Sequence, residues 1–330
     1  MDIRDTLDVE YFLKYAILSF TIFGLVTDAI HLCFLSGVLK NYPLSICFTS
    51  ICICDLLMVT TQFIFQIVTV ITYVENKDCF GHVGWADMIL KIMNEGVYYI
   101  GFATEEWISI GMCAIQVIDL KKVGRIVWTS KKCKILSIAS FFPAVFFTIV
   151  SQVALIFLSK KVKLVSGCIL NDTFRKYIQT EDNWITQLIL VNNLGEILSQ
   201  MLKLLMSIVV IIWLTTVSWK CGLKEKKITA KLTIWLHLSV FVPYFATLIT
   251  NKMFHETNSD AIASGPSTIL PTAFSKLWRM IGATARPFLI LGMSETYQKR
   301  VRDFFKISNR VEPVNSTAVR YFRGSDTSTR

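Results

Sequence analysis

Three carboxylates, Asp28, Asp55 and Glu105, stand inside runs of apolar residues. Counted inward from one end of the blocks that hold them, each lies roughly 10 to 14 residues deep, or about 15–20 Å at the rise of an α-helix. Three acids at one level of an apolar interior do not all stay ionised. They share a cation, share protons or face separate wet cavities. Protonated carboxyls bonded to backbone carbonyls are the plainer alternative. Glu95 and Lys276 are also deep charges, and each needs a partner. Other chemistry is sparse. The histidines, His31, His82, His237 and His255, are scattered over different segments and supply neither a base beside a nucleophile nor a metal cluster, so no enzyme is expected. Cys52 and Cys54 are too close together for a zinc pair and no histidine is in register, so no metal centre is expected either.

The elements that hold these residues are set by composition. The chain has 330 residues, 53% apolar and only 18% charged, and the apolar residues fall into long uncharged blocks. Ile135 to Leu158 is the cleanest, uncharged with one interior proline, Pro143, and long enough as a helix to cross a hydrocarbon core of about 30 Å. The expected fold class is all-α: a polytopic seven-transmembrane helix bundle with a short amphipathic helix after the seventh. The spans are Tyr15 to Leu39, Ser45 to Tyr73, Met88 to Ile118, Ile135 to Leu158, Gln187 to Val217, Ile228 to Thr250 and Ile269 to Met293. Residues 1–14 form the amino-terminal segment, 15–293 the bundle, and 294–330 the amphipathic helix and tail. Lys276, Arg279 and Arg286 interrupt the seventh block, so a helix lying on the membrane surface is the alternative there.

A net charge of +10 could suit nucleic acid, yet the basic residues sit in short loops and in the tail, which reads as membrane topology and excludes a nucleic-acid partner. Asp119 to Lys134, Trp219 to Lys227 and the tail from Glu295 are all basic, and they share a side only if the number of spans is odd. Positive-inside makes that side cytosolic and the amino terminus extracellular, in the cell membrane. Lys160, Lys161 and Lys163 run against the rule. The acidic start, Met1 to Glu10, has no basic stretch before an apolar one, so no cleaved signal peptide is expected. The tail after Phe305 is polar, rich in Ser and Thr, and expected to be disordered.

On this topology only Cys79 and Cys168 lie in extracellular loops, whereas Cys133 and Cys221 face the cytosol. A disulfide between Cys79 and Cys168 would tie the loop after helix four to the top of helix three; two free thiols are the alternative. The sequon Asn171-Asp172-Thr173 lies in the same loop and is a glycosylation candidate, whereas the sequon at Asn315 is cytosolic.

Several motifs fall in an order that resembles a family. Ile30-His31-Leu32, Ser45-Ile46, Ile51-Cys52-Ile53-Cys54-Asp55-Leu56-Leu57 and Trp107-Ile108-Ser109-Ile110-Gly111-Met112 resemble helices one to three of the nematode serpentine receptors of class W, rhodopsin-like relatives of FMRFamide-type neuropeptide receptors. Thr229-Ala230-Lys231-Leu232 before Pro243, and the run from Met293 to Val301, resemble the starts of that family's sixth helix and its post-seventh helix. The spacing from Cys79 to Gln116 is similar to the family's spacing from its bridging cysteine to the arginine ending helix three. The resemblance spans roughly residues 25 to 305. Departures are plain: Gln116 stands in place of that arginine, Asp28 in place of an asparagine, Met206 in place of a proline, and Arg286-Pro287 in place of Asn-Pro.

The resemblance implies a G-protein-coupled receptor, a chemoreceptor or neuropeptide receptor, with an extracellular peptide or small-molecule ligand and a heterotrimeric G protein as partners. Depth and resemblance together put Glu95, Tyr98, Tyr99, Phe102, Phe241, Tyr244, Phe245 and Lys276 at the ligand, with Glu196 and Gln200 on helix five. Gln116, Lys121, Lys122, Lys226 and Lys227 would face the G protein. In rhodopsin-like receptors the position of Asp55 belongs to a sodium site, so Asp55 and Glu105, with Asp28 nearby, become a cation or proton site. Sodium there is the one cofactor the reading admits. After helix seven, Val301, Phe304 and Phe305 oppose Lys299, Arg300 and Arg302 on a face suited to the lipid bilayer. A membrane transporter or channel using the intramembrane carboxylates is the alternative.

Overall fold

The computed structural model describes residues 3–37, 43–75, 81–82, 85–121, 129–159, 169–170, 184–257, 269–293, 297–299 and 301–302. Among these, seven long helices follow in order: α1 (Ile3–Gly37), α2 (Pro43–Glu75), α3 (Trp85–Lys121), α4 (Ser130–Ser159), α5 (Trp184–Lys220), α6 (Lys224–Thr257) and α7 (Ile269–Met293). Local signals set several starts. Pro43 opens α2 where its missing N–H has no partner to lose, and Thr129 Oγ1 caps α4 by accepting the Lys132 N–H at 3.4 Å. Each apolar block falls on one helix: five lie inside it, because helical backbone continues through polar turns beyond the apolar stretch, the seventh coincides with α7, and the first runs to Leu39, past the end of α1 at Gly37. The largest difference is in α1, which begins at Ile3 inside the segment expected to precede the first span.

Four stretches are long and apolar enough to cross a membrane: Phe12–Ser36 in α1, Pro43–Val68 in α2, Ser130–Phe157 in α4 and Ile197–Lys220 in α5. They turn Phe142, Phe146, Leu205 and Ile212 outward, a surface that suits hydrocarbon and not water. The chain is therefore a membrane protein with an all-helical body.

α3 is the hub, packed against α2, α4, α5 and α6. α7 lies against α6 and returns to α1, which closes the circuit; α7 is thus packed into the bundle. Two glycines let helix backbones come close together. A Cβ on Gly101 of α3 would come within 2.7 Å of Met58 Cγ and 3.0 Å of the Cys54 carbonyl oxygen, and one on Gly282 of α7 within 2.8 Å of Pro243 Cγ and 3.0 Å of the Ser239 carbonyl oxygen. At one end of the bundle two short strands, β1 (Gly81–His82) and β2 (Ile169–Leu170), pair antiparallel with Gly81 opposite Leu170. They lay the connection after α2 beside the connection after α4. At the other end Cys133, expected in a loop, is buried in the first turn of α4 and joins Cys47 and Leu236 in an apolar cluster. A second cluster, including Met58, Phe102 and Met280, lies nearer the strands.

Candidate functional site

Between the two apolar clusters, by position along the helices, lies an ionic one. Arg286 of α7 is 4% exposed. Its Nη1 pairs with Asp55 Oδ1 of α2 and its Nη2 with Glu105 Oε1 of α3, while its Nε donates to Ser239 Oγ of α6 at 3.2 Å. One guanidinium thus joins four helices, its planar fork matching two carboxylates at once. Arg286 stands between the two acids expected to share a cation, and supplies that positive charge from the chain itself. Asp28 of α1 is 1% exposed. It lies close enough to feel both Asp55 and Arg286, and among the described residues neither of its carboxylate oxygens accepts a hydrogen bond. The described residues hold no set of three His, Cys, Asp or Glu side chains suited to a metal ion.

A second buried pair joins Lys203 Nζ of α5 to Glu106 Oε2 of α3, with the ammonium 5.9 Å from the Phe102 ring centre. Beside it Ser109 Oγ donates to the Glu106 carbonyl oxygen at 2.8 Å and lies 3.0 Å from His237 Nδ1 of α6. These groups border a cleft of about 10 Å3, room for a single water.

Toward the strand-bearing end a larger cavity of about 290 Å3 opens between α3, α4, α5 and α7. Of the expected ligand residues, Glu95, Tyr98, Tyr99, Phe102 and Lys276 line it, and so does Gln200. Lys276 pairs with Glu95 and lies over the Phe65 ring at 5.2 Å, so the two deep charges are each other's partners. Arg279 lies over the Phe102 ring at 3.6 Å and the Tyr98 ring at 5.8 Å.

Phe241 and Phe245 are not part of this cavity. Phe241 borders the small cleft and stacks between His237 and Phe245. Phe245 is 47% exposed on the outer face of α6. The side chains of Tyr244 and Glu196 lie outside the described residues, as do Cys79, Cys168, Asn171, Lys122, Asn315 and the tail from residue 303.

At the opposite end Gln116 is fully buried, and so does not present itself to a partner in this conformation. Lys226 Nζ of α6 donates to the Asp119 carbonyl oxygen at 2.7 Å and pairs with Asp119 Oδ2 at 3.4 Å, holding α6 against the end of α3. Lys121 lies 4.6 Å over the Trp213 ring, and Lys227 is half-buried. Beyond α7, residues 297–299 and 301–302 are helical. Tyr297 is buried there with its hydroxyl 2.6 Å from His31 Nδ1, and that burial pushes its phenol above the ordinary value. Val301 packs on the apolar cluster while Lys299 and Arg302 stay exposed, which is the two-faced pattern expected.

The residues the sequence reading passed over are Glu106, Lys203 and the inward role of Arg279 and Arg286. Their one signal is a charged residue at a bundle-facing helical position, which a sequence of seven apolar blocks reveals only when the partner helix is known. No protein-family model and no curated relative matches the chain.

Proposed function

We propose that the chain is a seven-span receptor of the plasma membrane that passes an extracellular ligand signal to a cytosolic G protein. α3, α6 and α7 are too polar to resemble lipid-facing spans, yet α3 and α7 bury their charges against each other and against α2 and α5, which supports counting all seven as crossing. The basic turns and tail then face the cytosol, the strand-bearing end faces outward, and Asn171 carries glycan. The Cys79–Cys168 disulfide holds the two outer connections that β1 and β2 already align.

The observation that carries the reading is the cavity of about 290 Å3 at the outer end, lined by Glu95, Tyr98, Phe102 and Lys276. Its size meets the bottom of the range for small-molecule sites, roughly 300–1,000 Å3. Ligand binding shifts the population toward a form in which the cytosolic half of α6 swings out about Pro243, parting Lys226 from Asp119 and uncovering Gln116. The ionic cluster sets the resting balance. Asp28, Asp55 and Glu105 outnumber Arg286, and surplus negative charge at membrane depth is neutralised by protons or by a sodium ion.

The test is guanine-nucleotide exchange on a purified G protein added to the full chain in lipid nanodiscs, with ligand fractions screened for stimulation. Exchange above the ligand-free level supports the receptor. Equal ligand potency from zero to physiological sodium and from pH 5 to 8 would remove the ionic cluster from the mechanism. A transporter or channel is favoured by one observation, the unbonded Asp28 carboxylate inside the bundle. Solute flux into vesicles without nucleotide exchange would establish it instead.

A further inference from the structure

Among the described residues, charges on the wall of the outer cavity do not sum to zero: Glu95 stands against Lys276 and Arg279. Glu95 and Lys276 cancel each other. Arg279 makes no ion pair: among the described residues no carboxylate lies within pairing distance of it, its Nε is buried without an acceptor, and the groups that feel its charge are the Tyr98 hydroxyl and Glu106, whose own charge Lys203 balances. The guanidinium face rests on the Phe102 ring at 3.6 Å, which leaves its N–H donors to point sideways in their own plane. Cation–π contact steadies the charge but satisfies none of those donors. A guanidinium at membrane depth is costly until it is bonded and neutralised. Among the described residues the resting cavity is therefore one anion short.

We infer that this cavity binds a small organic monocarboxylate, its acid group on Arg279 and its apolar body against Tyr98, Phe102 and Phe147. The chemistry follows from the wall. One surplus positive charge calls for one negative charge, and a planar fork of donors matches a carboxylate better than a spherical halide. Aromatic walls call for an apolar or aromatic body. A volume of about 290 Å3 holds a molecule the size of a phenylalkanoate and excludes a whole peptide. Lys276, one turn away on the same face of α7, adds attraction while its own charge stays balanced by Glu95. The assignment rests on the reading of this cavity as the ligand site and narrows the ligand to an acid.

The test uses the full chain in nanodiscs and its thermal unfolding midpoint with four probes: hydrocinnamate, butyrate, hydrocinnamamide and phenethylammonium. Both acids are expected to raise the midpoint, and hydrocinnamate to bind at least about tenfold more tightly than its neutral amide, because a charge-assisted pair is lost with the charge. Arg279→Gln is expected to erase the preference for acid over amide, and Arg279→Lys to keep it with weaker binding. If the Gln variant does not fold, the acid and amide comparison on the unsubstituted chain and on Arg279→Lys decides. An amide as tight as the acid, a tighter ammonium, no shift from either acid, or an undiminished preference in Arg279→Gln overturns the proposal. Nucleotide exchange in the same samples separates the two readings. Acid binding with the stated preference but no exchange leaves the site standing and removes the receptor, whereas exchange driven by a neutral or cationic ligand, unchanged in Arg279→Gln, does the reverse.

Discussion

Arg286 and Arg279 lie seven positions, or about two turns, apart on the same helix. Both are charges that bilayer hydrocarbon rejects, and both turn into the bundle. Arg286 meets two carboxylates and a hydroxyl in closed, packed space; Arg279 meets an aromatic face and a hollow. The same side chain is a rivet in one place and an unfinished bond in the other. Packing decides which. A satisfied ion in filled space fixes the relative positions of helices, whereas an unsatisfied one beside empty volume is specific for something absent from the chain.

The largest way to break that contrast is Arg286→Met. It strands Asp55 and Glu105 in the interior and is expected to lower stability by about 3–5 kcal/mol, read as a fall in the unfolding midpoint of the full chain in nanodiscs. Adding Asp55→Asn and Glu105→Gln to the same variant should return most of that loss, because the acids no longer need a counter-charge. A single variant as stable as the parent would mean that the guanidinium is not what holds the acids. Lys203→Met tests whether a pair of one cation and one acid behaves alike. It should cost about 3 kcal/mol, at the lower end because a single carboxylate is stranded, and Glu106→Gln in the same chain should offset it. Tyr297→Phe removes the hydroxyl that meets His31 and should cost about 1 kcal/mol in the same assay. Glu95→Gln sharpens the other side. Glu95 is 38% exposed, so water screens part of its loss, but Lys276 at 7% is left without its counter-charge, and stability should fall by about 1 kcal/mol. The cavity nevertheless gains a second unbalanced cation, and hydrocinnamate should bind more tightly in the midpoint-shift assay.

The helices were legible in the sequence because lipid demands long uncharged faces, and α1, α2, α4 and α5 display them openly. So was the need for partners: Glu95 and Lys276 were expected at one pocket as charges too deep to stand alone, and they meet. Partner choice was less legible. Arg286 reads as a departure from an Asn-Pro motif, and nothing local announces that residues 231 positions apart will pair. Glu106 follows Glu105 directly, yet the two face different helices, because successive residues on a helix point about 100° apart. Phe245 was assigned to the pocket by depth and resemblance, and depth carries no information about which side of α6 it occupies.

The three bonds made by Arg286 are unequal. Two are ionic, to α2 and α3; the third, to Ser239 on α6, is a lone contact to an uncharged hydroxyl at 3.2 Å, one turn from Pro243. Strain applied to this clasp releases its weakest finger first. Within this cluster α6 is therefore tied less firmly than α2, α3 and α7 are to one another, and its hold on the bundle rests more on the Lys226–Asp119 pair and on Pro243 against Gly282.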